Sequence, residues 1–184
     1  MSPLASPAPT RSTRSCTRSS VRTGVRTLTN SSGFSTLIPN VGANLVECLP
    51  EATTLDDVAA VPGRIFDVKG RATVPGDPEF GVSEYVASVL LAVRESTAAR
   101  AAANIRYDPD VVDILRDSGH TCVEFSPNGN DEVSGVRDAL SSVDVDGLSS
   151  VFVLYQTGGY GIEPITYVLG PNAPTVADCI RDLL

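Results

Sequence analysis

At 184 residues, 42% of them hydrophobic, the chain can bury one good core, and a second full domain would be tight. Acids outnumber bases 22 to 14, for a net charge of −8. No apolar run approaches a membrane span and residues 1–20 hold no signal-type stretch, so the expectation is a cytoplasmic protein without a membrane partner.

Residues 1–20, rich in Ser, Pro, Thr and Arg, read as a disordered tail. Residues 21–36 read as a linker with a short helix, from the spacing of Val21, Val25 and Leu28. Thr36–Pro39 suggests a strand entering a turn, and Asn40–Leu49 a turn feeding a short helix that Pro50 stops. Thr54 with Asp57 has the shape of a capping box and predicts a brief helix through Ala60. After Pro62-Gly63, Arg64–Val68 alternates, and Lys69-Gly70 turns the chain into Arg71–Val74 as a hairpin.

Ser83 is the expected N-cap of the longest helix, with Tyr85, Val86, Val89, Leu90 and Val93 at helical spacing to about Glu95. Ala101–Tyr107 is strand-like, Asp108-Pro109 opens a helix that Gly119 closes, and Thr121–Phe125 is another strand. Asp131–Val143 is a helix, Val151–Leu154 and Ile165–Leu169 are strands, and Pro174–Leu184 is a final helix. Strands and helices alternate through residues 37–184, which predicts one layered α/β domain on a mixed sheet.

Residues 1–36 contain five arginines and no acid, whereas residues 37–184 hold every acid and the single lysine, Lys69. That acidic part repels phosphate backbones and is not expected to bind nucleic acid directly. Such a surface suits a salt-adapted cytoplasm, and an ordinary acidic protein fits it too. Cys16, Cys48, Cys122 and Cys179 are scattered, so neither a zinc site nor a disulfide framework is indicated. His120, the only histidine, reads as a helix-end or surface residue rather than a catalyst.

The stretch most suggestive of chemistry is residues 155–164, where Gly158, Gly159 and Gly161 lie between two strand-like runs. Glycines at that density let backbone N–H groups approach a ligand, with Gln156 and Thr157 before them and Glu163 at the exit, held extended by Pro164. A hairpin without a ligand is the other reading. Asn104 and Arg106 share one face of a strand, an arrangement suited to an anion or to salt bridges. Gly81 and Ser83 open the long helix, whose first N–H groups favour an anion as well as a cap.

Leu37–Leu45, Pro62–Ile65, Pro78–Ser83, Asn104–Tyr107 and Gly158–Pro164 resemble the ThiN domain in type, order and spacing, from about Val21 to Leu184. The resemblance implies a three-layer α/β/α sandwich around a mixed sheet, similar to the class II aldolase and epimerase fold. Enzymatic members are thiamine-phosphate synthases, which join hydroxymethylpyrimidine diphosphate to thiazole phosphate and release pyrophosphate. In them an arginine and, at the start of the next long helix, a histidine assist. Arg64 matches the arginine, and Tyr85 stands at the histidine position.

The chain looks nearest to the sensor half of salt-loving archaeal thiamine regulators. The leading expectation is therefore a sensor of thiamine or a phosphorylated precursor, in a regulator lacking its helix-turn-helix, with no cofactor. The alternative is the synthase, with magnesium. In either case Asn40, Gly42, Asn44, Arg64, Gly81, Ser83, Asn104, Arg106, Gln156, Thr157, Gly158, Gly159 and Gly161 would hold phosphate or ligand. Glu163 would accept from the pyrimidine amine or a hydroxyl, and Tyr85 would stack on a ligand ring. No metal-ligating side chains are expected, and a homodimer is left open.

Overall fold

A computed structural model describes residues 7–184. Nine strands are present among them: β1 (Leu45–Cys48), β2 (Val58–Ala60), β3 (Phe66–Val68), β4 (Arg71–Thr73), β5 (Glu79–Phe80), β6 (Ala101–Arg106), β7 (Thr121–Glu124), β8 (Phe152–Gln156) and β9 (Ile165–Gly170). Five α-helices accompany them: α1 (Arg11–Asn30), α2 (Tyr85–Arg94), α3 (Pro109–Asp117), α4 (Glu132–Ser141) and α5 (Ala173–Arg181). Seven strands pair in the order β5-β2-β1-β6-β9-β8-β7, antiparallel except for β7 beside β8, and β3-β4 is a separate hairpin.

Helices cover both faces of the large sheet. On one, Val21, Val25 and Leu28 of α1 and Val176 and Ile180 of α5 meet Leu45, Ala103 and Val168. On the other, Val86 and Leu90 of α2 and Val136 and Leu140 of α4 meet Val46, Ala102 and Leu154. Alanines at 101, 102 and 103 of β6 keep the middle of the sheet thin, so helices close on it from both sides. The result is a three-layer α/β/α sandwich on a mixed sheet, as the family resemblance implied.

The reading of residues 1–20 as a disordered tail is corrected: α1 begins at Arg11, with the Thr10 hydroxyl accepting the Thr13 N–H. Residues 1–6 lie outside the described part. Low hydrophobicity hid this helix because its support is tertiary. Thr17, Val21, Gly24, Val25 and Leu28 form its buried stripe against α5 and β1. Its arginines find an acid and an aromatic ring far along the chain: Arg18 and Arg22 both reach Asp77, and Arg14 lies 4.0 Å over the Phe80 ring. Hydrogen bonding from Arg22 leads in holding the Asp77 carboxyl down at about 2. α1 therefore shares the core of residues 37–184 instead of preceding it as tail and linker.

Three further expectations give way. Thr36–Pro39 is no strand, since a 3-10 turn occupies Phe34–Leu37. Leu45–Cys48 is a strand and not a helix, because it pairs on both sides and is buried on both faces, and a short apolar run looks the same in either state. Leu55–Asp57 is only a 3-10 turn, braced by Thr53 and Thr54 N–H donating to Asp57, and Val58–Ala60 continues as β2.

Candidate functional site

A cleft of about 630 Å³ opens where loops from several strands meet the starts of α2 and α4. Each wall has an identifiable support. Asn104, on β6, donates to the Gly42 carbonyl at 3.0 Å and accepts the Asn44 N–H at 2.7 Å. Asn44 in turn pins the chain at Val61, its amide oxygen accepting the Val61 N–H and its nitrogen donating to the Val61 carbonyl. Both amides are buried, so these bonds fix the Gly42 turn and the Pro62–Arg64 turn relative to the sheet.

Arg64 follows that turn with φ at +68°, a conformation costly to a residue with a Cβ. Its guanidinium donates to the Val41 carbonyl and lies 5.3 Å from the centre of the Tyr85 ring. Tyr85 is the first residue of α2, so the cation stands beside that helix's positive end. The expected Ser83 cap is corrected: Glu84 is the N-cap, and no side chain caps the first-turn N–H groups. Ser83 is nonetheless buried in the cleft wall.

The glycine-rich loop closes the opposite side. Glu163 accepts the N–H groups of Asn40 and Val41 at 2.7 and 3.2 Å, strapping this loop to a turn more than a hundred residues away. Gln156, fully buried, accepts the Gly158 N–H at 2.6 Å and donates to the Glu163 carbonyl at 2.7 Å. Gly158 has φ of +83°, and a Cβ there would lie 3.0 Å from Pro164 Cδ, so the turn needs glycine on two counts.

Of the residues singled out in the sequence, Gly42, Asn44, Arg64, Ser83, Tyr85, Asn104, Gly161 and Glu163 line the cleft together. Asn40 contributes its N–H to Glu163 at the edge. Gly81, Arg106, Gln156, Thr157, Gly158 and Gly159 are not in the lining. Arg106 donates to the Ile38 carbonyl and holds the chain ahead of the Asn40 turn. Gly81 lies against Asp56, and its N–H meets the Val58 carbonyl. His120 is also outside the lining, with Nδ1 at 3.2 Å from the Val151 carbonyl and Nε2 at 3.6 Å from Cys179 Sγ.

Sequence reasoning missed Glu132 and Tyr167, which both line the cleft. Glu132 opens α4 and accepts from the Tyr167 hydroxyl at 2.6 Å and from Gln156 Nε2 at 3.2 Å. Burial first, and the nearby Glu132 carboxylate second, push the Tyr167 hydroxyl well above its ordinary range, so it stays a donor. Among so many acids one more at a helix start carries no signal, and Tyr167 alternates like any core residue. No group of three or more His, Cys, Asp or Glu able to hold a metal is present among the described residues. No helix there is long and apolar enough to cross a membrane.

The sequence profile of the family Thiamine-phosphate synthase ThiN matches residues 20–182, which includes half of α1. The chain is 32% identical over 166 residues to Thiamine-phosphate synthase ThiN of Methanothermobacter thermautotrophicus, covering 85% of this chain and 86% of that one. It is 37% identical over 144 residues to the Bifunctional thiamine biosynthesis protein ThiDN of Methanocaldococcus jannaschii, covering 75% of this chain and 34% of that longer protein. Among solved structures, the C-terminal domain of phosphomethylpyrimidine kinase superposes with a TM-score of 0.82 at 26% identity, over 93% of this chain and all of that one. L-Fuculose-1-phosphate aldolase from Thermus thermophilus, at TM-score 0.50 and 12% identity over 90% and 92% of the two chains, shares the fold alone.

These relatives overturn the leading sequence expectation of a regulator's sensing half. Both curated proteins are named for thiamine biosynthesis, one of them as the synthase itself over nearly its whole length. A tyrosine at position 85 does not set the chain apart from the family, and the arginine-bearing α1 is part of the domain's core. The chain belongs to the Thiamine-phosphate synthase ThiN family.

Proposed function

We propose that this chain is a thiamine-phosphate synthase, joining hydroxymethylpyrimidine diphosphate and thiazole phosphate to give thiamine monophosphate and pyrophosphate. The observation that carries the reading is the pairing of Arg64 with the uncapped N-terminus of α2 on one wall of the cleft. In this reaction the thiazole ring nitrogen attacks the carbon bearing the diphosphate, and pyrophosphate departs with the electron pair of the broken C–O bond. Negative charge grows on the departing oxygens, where a guanidinium and helix-end N–H groups stabilise it. The attacking nitrogen carries no proton, so no base has to remove one. A tyrosine at position 85 is compatible with that chemistry: the ring packs on the Arg64 guanidinium instead of adding a second cation.

Magnesium fits such a site as a companion of the diphosphate. The ion commonly takes one or two protein carboxylates and leaves its other positions to phosphate oxygens and water. Glu84, in the cleft wall at the head of α2, would be a carboxylate able to join it. It would neutralise charge on the diphosphate when bound.

The test is an assay of purified protein with both precursors and magnesium, with thiamine monophosphate quantified over hours. Product above the protein-free control is expected. Its absence over a range of salt concentrations would overturn the proposal.

A further inference from the structure

Glu132 has no part in the phosphate chemistry, and a carboxylate repels a diphosphate. Yet two buried side chains hold it in the cleft wall. Tyr167, 2% exposed, donates to one of its oxygens, and Gln156, fully buried, donates to the other. Gln156 is itself held in one orientation, because its oxygen meets the Gly158 N–H and its nitrogen also meets the Glu163 carbonyl. Both supports are donors, so Glu132 is kept as an acceptor facing the cleft. A carboxylate offers about four acceptor sites and two are occupied. Glu163, expected from sequence to read the pyrimidine, likewise carries one donor on each oxygen, but those donors are the backbone N–H groups of Asn40 and Val41, so its carboxylate ties two loops together.

Resting on the synthase reading above, we infer that Glu132, held by Tyr167 and Gln156, recognises the exocyclic amine of the aminopyrimidine substrate and thereby directs its diphosphate toward Arg64. The cleft then has two chemically distinct ends. One presents a cation and open N–H groups to an anion, and the other presents a fixed acceptor to a ring amine. A pyrimidine with oxygen in place of the amine would set a lone pair against the carboxylate and bind poorly. Sites built around a hydrogen-bonded group reject analogues lacking it far more strongly than apolar pockets reject a changed methyl.

The experiment compares the parent with Glu132→Gln and Tyr167→Phe, using hydroxymethylpyrimidine diphosphate and its 4-hydroxy analogue with thiazole phosphate as second substrate. Binding of free 4-amino-5-hydroxymethyl-2-methylpyrimidine is measured in parallel by calorimetry, which needs no turnover. The parent is expected to prefer the amino compound by about 100-fold or more. Glu132→Gln should lose most of that preference, with the KM for the amino substrate raised at least about tenfold and the KM for thiazole phosphate unchanged. Tyr167→Phe should show the same pattern more weakly, and it stands in for Glu132→Gln should that variant not fold. An unchanged amino preference in a folded, active variant overturns the inference and spares the synthase reading. A parent without turnover whose aminopyrimidine binding is lost in Glu132→Gln does the reverse.

Discussion

Arg64 carries two burdens that substitution can separate. Its backbone sits at φ of +68°, where a residue with a Cβ is strained by about 1 kcal/mol, and its side chain places a cation beside the start of α2. Glycine relieves the first and removes the second, whereas alanine keeps the strain and also loses the cation. Arg64→Gly should therefore melt above Arg64→Ala. Both variants should lose about 100-fold or more in kcat/KM if the guanidinium stabilises the departing pyrophosphate. Equal activity in either variant and the parent would remove Arg64 from the chemistry. Alanine melting as high as glycine would mean that the turn relaxes around it. Positive φ at an arginine leaves no mark in the sequence; what was legible was the Pro62-Gly63 break just before it.

At the scale of elements, the packing of α1 on α5 depends on Gly24. A Cβ there would lie 2.6 Å from a Leu45 methyl and 2.9 Å from the Ala173 carbonyl oxygen. Alanine would gain up to about 1 kcal/mol of helix propensity. Overpacking against backbone costs about 1–3 kcal/mol, so the clash wins. Gly24→Ala should lower the unfolding midpoint in urea by the corresponding amount, and a raised midpoint would show that α1 shifts freely on the core. The composition of this helix explains why its first half was read as tail and its second half as a linker with a short helix. Glycine at 24 and serines, threonines and arginines before it look like linker composition, while their partners, Asp77, Phe80 and α5, lie more than fifty residues on. The elements from α2 onward, by contrast, announced themselves through local spacing and signals such as the Asp108-Pro109 helix opening. The site divided in the same way. Turn residues with unusual composition (Gly42, Arg64, Gly161) were visible, and so was Gln156 beside the glycines, but not its joining with Glu132 and Tyr167, which is defined only by three elements meeting.

Across the whole molecule, charge sets how stability responds to salt. The net charge of −8 arises from acids spread over residues 37–184, against which α1 lays its arginines. Added salt weakens both the attraction and the repulsion, and range decides between them. The Arg22–Asp77 contact is 2.6 Å long and remains within even the ~3 Å screening length of molar salt. Repulsion among dispersed carboxylates acts over roughly 10 Å and is lost once the screening length falls below that distance. Exposed ion pairs contribute at most about 1 kcal/mol each in any case. The melting temperature should therefore rise as potassium chloride increases from roughly 0.1 M toward 1 M, with Asp77→Asn lowering every point and leaving the slope upward. A melting temperature that falls with salt would show that the arginine contacts of α1 outweigh the repulsion they oppose, and that this helix, not the acidic surface, controls the stability of the fold.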